Sequence, residues 1–197
     1  VRLVCATANP HKVVELARLL PNWVELVARP DDVGDIDEDA PTLEGNAIIK
    51  AVEIANQSSE WAIADDTGLE VQALGGLPGV HSARYAGVGA TSGEHRVKLL
   101  HEMDGVADRA ARFRTVIALV SAKGDIHLVS GECAGVIARE ERGESGFGYD
   151  SVFIPNDGDG RTFAEMTGAE KDAISHRGRA TDQLPALLAR IFGLPTP

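Results

Sequence analysis

Aromatic side chains are scarce in this sequence. Phe, Tyr and Trp make up 5% of it, so the core is expected to be mainly aliphatic. Cysteine is nearly absent too. Cys5 and Cys133 stand alone, with no C-x-x-C and no accompanying histidine spacing. That argues against a disulfide framework or a metal pair, and for two buried thiols in strands. No run approaches the roughly twenty apolar residues of a membrane-spanning helix. The first stretch, VRLVCATANPHK, turns polar after about six residues, too short for a secretory signal core. A cytoplasmic protein with no membrane partner is expected. Positive charge is also in short supply: 19 Lys and Arg stand against 30 Asp and Glu, a net charge of −11. Such a surface repels a nucleic-acid polymer. It leaves room for a small phosphorylated ligand, which needs a local group of Lys and Arg, and Mg²⁺ to offset nearby carboxylates.

What is present is an α/β pattern in 197 residues, 44% of them hydrophobic, enough for one domain with a proper core. Arg2–Thr7 reads as a buried strand. Val13, Leu16, Ala17 and Leu20 then recur at helical spacing. WVELVA is a short strand, and Asp31–Pro41 is an acidic loop. A helix opens at Thr42 and runs to about Gln57, with Ala47, Ile48, Ala51, Ile54 and Ala55 as its apolar stripe. WAIAD is a strand that the adjacent acids Asp65 and Asp66 are expected to end, since paired like charges suit no strand interior. LGGLPGV is a turn region, and TSGEHRVKLLHEM is a capped helix. RFRTVIALVSA and IHLVSGECAGVIARE form a hairpin about Lys123-Gly124. SGFGYDSVFIP is a glycine-rich loop entering a strand. The segment from Thr167 on is helical, with a Thr167/Glu170 capping box and breaks expected at Gly178 and Pro185.

Five places can carry chemistry. Thr7–Lys12 is a strand–turn–helix start whose backbone N–H groups and Lys12 suit phosphate; an ordinary Asn-Pro turn with a solvated lysine is the plainer reading. Asp65 and Asp66 point to opposite sides of a strand, so one can take a proton from water or bind a metal while the other serves the structure. Thr67 and Gly68 suit a turn that meets a ligand. The acidic loop, with Asp35, Asp37, Glu38 and Asp39, is either a solvated face or the source of a second metal ligand. Lys50, on the following helix, either reaches the same cavity or decorates the surface. In SGFGYD, Gly146 and Gly148 flank Phe147, whose ring can stack on a base, unless Phe147 and Tyr149 are tucked into the core. Lys171, His176, Arg177 and Arg179 form the densest basic cluster, suited to carbonyl or phosphate oxygens, or to a helix end. No Ser-His-Asp arrangement is legible.

Taken in order, T-x-x-x-x-K after the first strand, ADDTGLEV, LGGLPGVHSARY, GFGYD and EKDAISHRGRA resemble the inosine triphosphate pyrophosphatase family over residues 2 to about 190. The resemblance implies an elongated mixed β-sheet with flanking helices, one domain of two lobes around a substrate cleft. It implies Mg²⁺-dependent hydrolysis of inosine, deoxyinosine and xanthosine triphosphates to monophosphate and pyrophosphate, by a homodimer. Thr7, Ala8, Asn9, Pro10, His11 and Lys12 would hold the triphosphate. Asp66 would accept the proton and, with Glu38, bind the metal; Asp37 and Asp39 remain alternatives to Glu38. Thr67 would contact the substrate. Phe147, Gly148, Tyr149 and Asp150 would wall the base pocket, Lys171 would contact the substrate, and His176 with Arg177 would read the base. The stretch LEGNA departs from the family, with Gly45 where a second acid often stands. The rival readings are a phosphohydrolase releasing orthophosphate, a purine nucleotide sensor without catalysis, and a purely structural domain.

Overall fold

The computed structural model of the protein describes residues 1–30, 33–34 and 36–195. Asp35, a candidate in the acidic loop, lies outside them. The strands are β1 (Arg2–Cys5), β2 (Glu25–Val27), β3 (Ala62–Val71), β4 (Pro78–Gly79), β5 (Ala110–Val120), β6 (Ile126–Ile137) and β7 (Phe153–Pro155). The helices are α1 (Pro10–Leu19), α2 (Leu43–Ser58), α3 (Ser92–Glu102), α4 (Gly168–Ile174), α5 (His176–Thr181) and α6 (Leu184–Phe192). The sheet runs β2-β1-β3-β5-β6-β7, with β4 pairing β3 off that path. It is mixed, as expected. β1 lies parallel to both β2 and β3, whereas β3–β4 and β6–β7 are antiparallel. Parallel neighbours need a crossover, and α1 supplies the one between β1 and β2.

The chain divides into two compact units. The first holds Val1–Asp66, Thr115–Gly131 and Arg179–Pro197; the second holds Thr67–Arg114 and Glu132–Gly178. The core of the first is aliphatic as expected, with Leu3, Cys5, Leu16, Ile63, Ile117, Leu119, Leu184 and Leu188 nearly or fully buried. The core of the second departs from that expectation, because the few phenylalanines are concentrated there. Phe113 meets Phe153 edge-on at 4.7 Å, and Phe153 meets Phe163 at 5.2 Å. Both cysteines are buried and unpaired with each other.

Two element boundaries differ from the sequence reading. β3 does not stop at the acid pair; it continues through Asp65, Asp66, Thr67 and Gly68 to Val71. Gly68 is required there by packing, since a Cβ would come within 2.7 Å of the Gly79 carbonyl oxygen on β4. The C-terminal helical segment breaks at Ser175, not at Gly178, which sits inside α5. The break expected at Pro185 is present: α5 ends at Thr181 and α6 opens at Leu184, with Pro185 in its first turn, where a missing N–H costs nothing. Ala17, placed in the apolar stripe of α1, is exposed.

Candidate active site

In the first unit, β1 ends in a polar turn that α1 converts into a capped helix. Thr7 Oγ1 accepts from the Asn9 N–H at 3.2 Å, and Asn9 Oδ1 accepts from the N–H groups of His11 at 2.9 Å and Lys12 at 3.4 Å. Asn9 is therefore the N-cap, and it engages N–H groups that the sequence offered to phosphate. Lys12 does not stand solvated: its Nζ lies 3.2 Å from Asp65 Oδ2.

The acid pair is tolerated inside β3 because each acid meets a lysine from a different helix. Asp65 faces Lys12 of α1. Asp66 Oδ1 accepts from Lys50 Nζ of α2 at 3.0 Å, and its Oδ2 accepts from Asn46 Nδ2 at 3.3 Å. Lys50 Nζ also donates to Glu38 Oε2 at 2.9 Å and to the Asp65 carbonyl at 2.9 Å. Among the described acids weighed in the loop, Asp37, Glu38 and Asp39, Glu38 is the one that reaches this ammonium. Burial pulls the Lys50 pKa down, but Asp66, Glu38 and Asp65 outweigh it and hold the ammonium firmly protonated. Burial pushes the Asp66 carboxyl above its ordinary range, against the pull of Lys50 and Lys12.

Lys50 is thus central and not surface decoration, and Asn46 was missed altogether. A signal for both existed. Leu43, Asn46, Ala47, Lys50, Ala51 and Ile54 form the buried face of α2, so both polar residues occupy core positions of the helical repeat. Asn46 Oδ1 also accepts from the Ala40 N–H at 3.0 Å, tying the acidic loop to the Asp66 partner. Gly45 has a local reason: a Cβ there would stand 2.6 Å from the Ala40 Cβ. An acid at that position would push the loop away.

The second unit holds a separate cluster. The Phe147 N–H and Lys171 Nζ both donate to Asp150 Oδ2, at 2.9 and 2.7 Å. The Lys171 ammonium lies 5.0 Å from the Phe147 ring centre and the Arg177 guanidinium 5.8 Å from it, within cation–π range. Arg177 Nη2 donates to Thr67 Oγ1 at 3.0 Å. Thr67, Phe147, Gly148, Asp150, Lys171 and Arg177 are therefore gathered together. Lys171 and Arg177 are 5% and 1% exposed, which rules out solvated cations trimming a helix end. His176 is stacked on Phe113 at 4.5 Å, held by the aromatic core. Tyr149 is placed otherwise than as a pocket wall. Its ring is buried beside His95, and its hydroxyl donates to the Ser82 carbonyl at 2.9 Å. Arg179 belongs to the first unit.

The model of the Ham1 family matches residues 3–187. This chain belongs to the Ham1 family. A protein from Desulforamulus reducens named dITP/XTP pyrophosphatase is 45% identical over 97% of each chain. One of the same name from Christiangramia forsetii is 46% identical over 96% of this chain and all of that one. Among solved structures, a Ham1 protein from Coxiella burnetii superposes with a TM-score of 0.88 at 40% identity, covering 96% of this chain and 99% of that one. The mixed sheet with flanking helices is thus the Ham1 fold.

Proposed function

We propose that this Ham1-family protein hydrolyses non-standard purine nucleoside triphosphates, deoxyinosine and xanthosine triphosphate among them, to the monophosphate and pyrophosphate. The observation that carries the reading beyond the relatives' names is the Lys50 ammonium between Glu38 and Asp66, at 2.9 and 3.0 Å. Two carboxylates that already converge on one cation fit Mg²⁺, which takes one or two carboxylates and completes its shell with water and substrate phosphate. Among the described residues no group of three or more His, Cys, Asp or Glu side chains is placed to hold a metal, so the phosphates would have to supply the remaining ligands. When bound, Mg²⁺ would neutralise charge on the phosphates and acidify water.

The chain's own residues do the rest. Thr7–Lys12 and Lys50 bind the triphosphate, Lys12 and Lys50 exchanging part of their carboxylate contacts for phosphate oxygens. Asp66 accepts the proton of the attacking water at its carboxylate. The new bond joins the water oxygen to the α-phosphorus; the bond to the β-phosphate oxygen breaks, and pyrophosphate leaves. Asp65 is buried and serves by holding Lys12. Phe147 stacks on the base. Arg177, with Lys171, donates to an oxygen at purine carbon 6. An adenine amino group there would leave a buried donor unpaired, a loss of about 1–3 kcal/mol. A homodimer and a cytoplasmic setting belong to the same proposal; among the described residues no helix is long and apolar enough to cross a membrane.

The test is a panel of inosine, xanthosine, adenosine and guanosine triphosphates with Mg²⁺, scored for products. Pyrophosphate from the inosine and xanthosine forms, with adenosine triphosphate left largely intact, is expected. Three orthophosphates per nucleotide, or nucleotide bound and unchanged over hours, would refute it in favour of a phosphatase or a sensor.

A further inference from the structure

The loop that presents Phe147 is held from outside by a residue the reading above does not use. Arg96 lies on α3, whose start is fixed by the Thr91/Glu94 capping box. Its Nη1 donates to the Gly148 carbonyl at 2.8 Å, and its Nε donates to Glu141 Oε2 at 2.8 Å. Glu141 Oε2 in turn accepts from Ser151 Oγ at 3.1 Å. The guanidinium therefore joins the carbonyl just after Phe147 to the segment before the loop, and through Ser151 to the segment after it. Fixed in that way, an arginine fork loses little further freedom on making its second bond.

The loop needs such a brace. Gly146 and Gly148 have φ of 76° and 60°, a region open to glycine and with little side-chain packing to restrain it. A crevice of about 160 Å³, lined by Arg96, Glu141, Ser145, Phe147, Gly148 and Ser151 among others, lies against the loop. On the inner side the Phe147 N–H is held by Asp150. The backbone around Phe147 is thus pinned at two points, by Asp150 before the ring and by Arg96 after it.

We propose that Arg96 is a positioning residue for base recognition: by bridging the Gly148 carbonyl and Glu141 it fixes the face that Phe147 offers to the purine. The inference rests on the proposed function, in which Phe147 stacks on the base. Arg96 itself touches no reacting atom, so its loss is expected to weaken nucleotide binding and to spare chemistry.

The experiment compares Arg96→Met with wild type by hydrogen exchange and by kinetics on inosine triphosphate. Amide exchange in residues 145–150 should quicken by about tenfold, while β5 and α2 keep their protection. KM should rise by about tenfold, with kcat within about twofold. In the Phe147→Ala background, Arg96→Met should add almost nothing to the KM, because the brace acts through the ring. Glu141→Gln, which leaves the loop and the arginine in place but loosens the bridge, should give a smaller change of the same kind and guards against a misfolded Arg96 variant. Unchanged exchange in residues 145–150 overturns the proposal, whatever the kinetics. Effects of Arg96→Met and Phe147→Ala that multiply overturn it too. A wild-type protein that releases no pyrophosphate from inosine triphosphate defeats the functional reading instead, and the exchange data still decide the brace.

Discussion

Replacing Lys50 by Met tests the centre of the first cluster. The methionine fills nearly the same volume but removes an ammonium that donates to Glu38, Asp66 and the Asp65 carbonyl. Breaking one side of a buried ion pair costs about 3–5 kcal/mol. The Glu38 arm should be discounted, because its side chain is 36% exposed against 10% for Asp66 and water screens it. The low end, about 3 kcal/mol, is therefore expected. For a chain of this size that lowers Tm by roughly 6–12 °C. The measurement is a calorimetric or circular-dichroism melt in EDTA and again in excess Mg²⁺. If Glu38 and Asp66 are the metal's ligands, the variant offers them uncompensated and binds Mg²⁺ more tightly than wild type. Excess Mg²⁺ should then raise the Tm of the variant more than that of wild type, as ligand linkage requires. A Tm within about 2 °C of wild type in EDTA would show that the ammonium carries little of the folding energy assigned to it. Equal Mg²⁺ shifts in both proteins would refute the shared cation site.

Other outcomes follow from the same structure. Asp66→Asn keeps the shape but removes one charge of the buried pair with Lys50, so Tm should fall by several degrees; assayed well below that melt, pyrophosphate release should drop by about 10²–10⁴, and more than about a tenth of wild-type activity would remove Asp66 from the proton-accepting role. Gly178→Ala places a Cβ against the Asp172 carbonyl, an overpacking cost of about 1–3 kcal/mol that a melt should read as a Tm lower by several degrees; an unchanged Tm would refute the fit. Burial pushes the Cys5 thiol from 9.0 up to about 11. The unfolded chain loses this proton first as pH rises, so the contribution is complete below about pH 9 and is lost by about pH 11, a total of about 2–3 kcal/mol. Urea midpoints measured from about pH 8 to pH 11 should fall more steeply for wild type than for Cys5→Ala, and identical slopes would contradict the shift.

Much of the fold was legible because its signals are local. α2 is legible from Thr42 and a 3.6-residue stripe and α3 from its Thr/Ser cap, and both begin where those threonines predict. The Thr167/Glu170 box likewise opens α4. The break at Ser175 was missed because Gly178 invites a helix end, while its actual need is close approach to the Asp172 carbonyl. Concentration of phenylalanine in one unit was invisible in an overall percentage. Within the candidate site, the residues near Thr7, Asp66, Phe147 and Lys171 were legible as motifs. The pairing of Asp66 with Lys50 was legible only as one of two readings of Lys50, although the burial of that lysine follows from its place in the α2 stripe.

The misreading of β3 shows how site and fold are coupled. Two adjacent acids were expected to end a strand because buried carboxylates are costly. They lie within it because Lys12 and Lys50, far away in sequence, supply the opposing charge. Sequence-local rules assess the acids and cannot see the lysines. The compensation is also what makes the place chemically useful. A strand can keep carboxylates out of water only if cations stand over them, and those cations then face whatever anion arrives. A triphosphate can draw the two ammonium groups toward itself, and each acid so released gains affinity for a divalent cation that arrives with the phosphates. The folding cost of the acid pair and its readiness for a metal-bound polyphosphate are therefore one electrostatic arrangement. Neutralising Asp66 should cost the fold its pairing with Lys50 and the site its readiness for a metal in the same step.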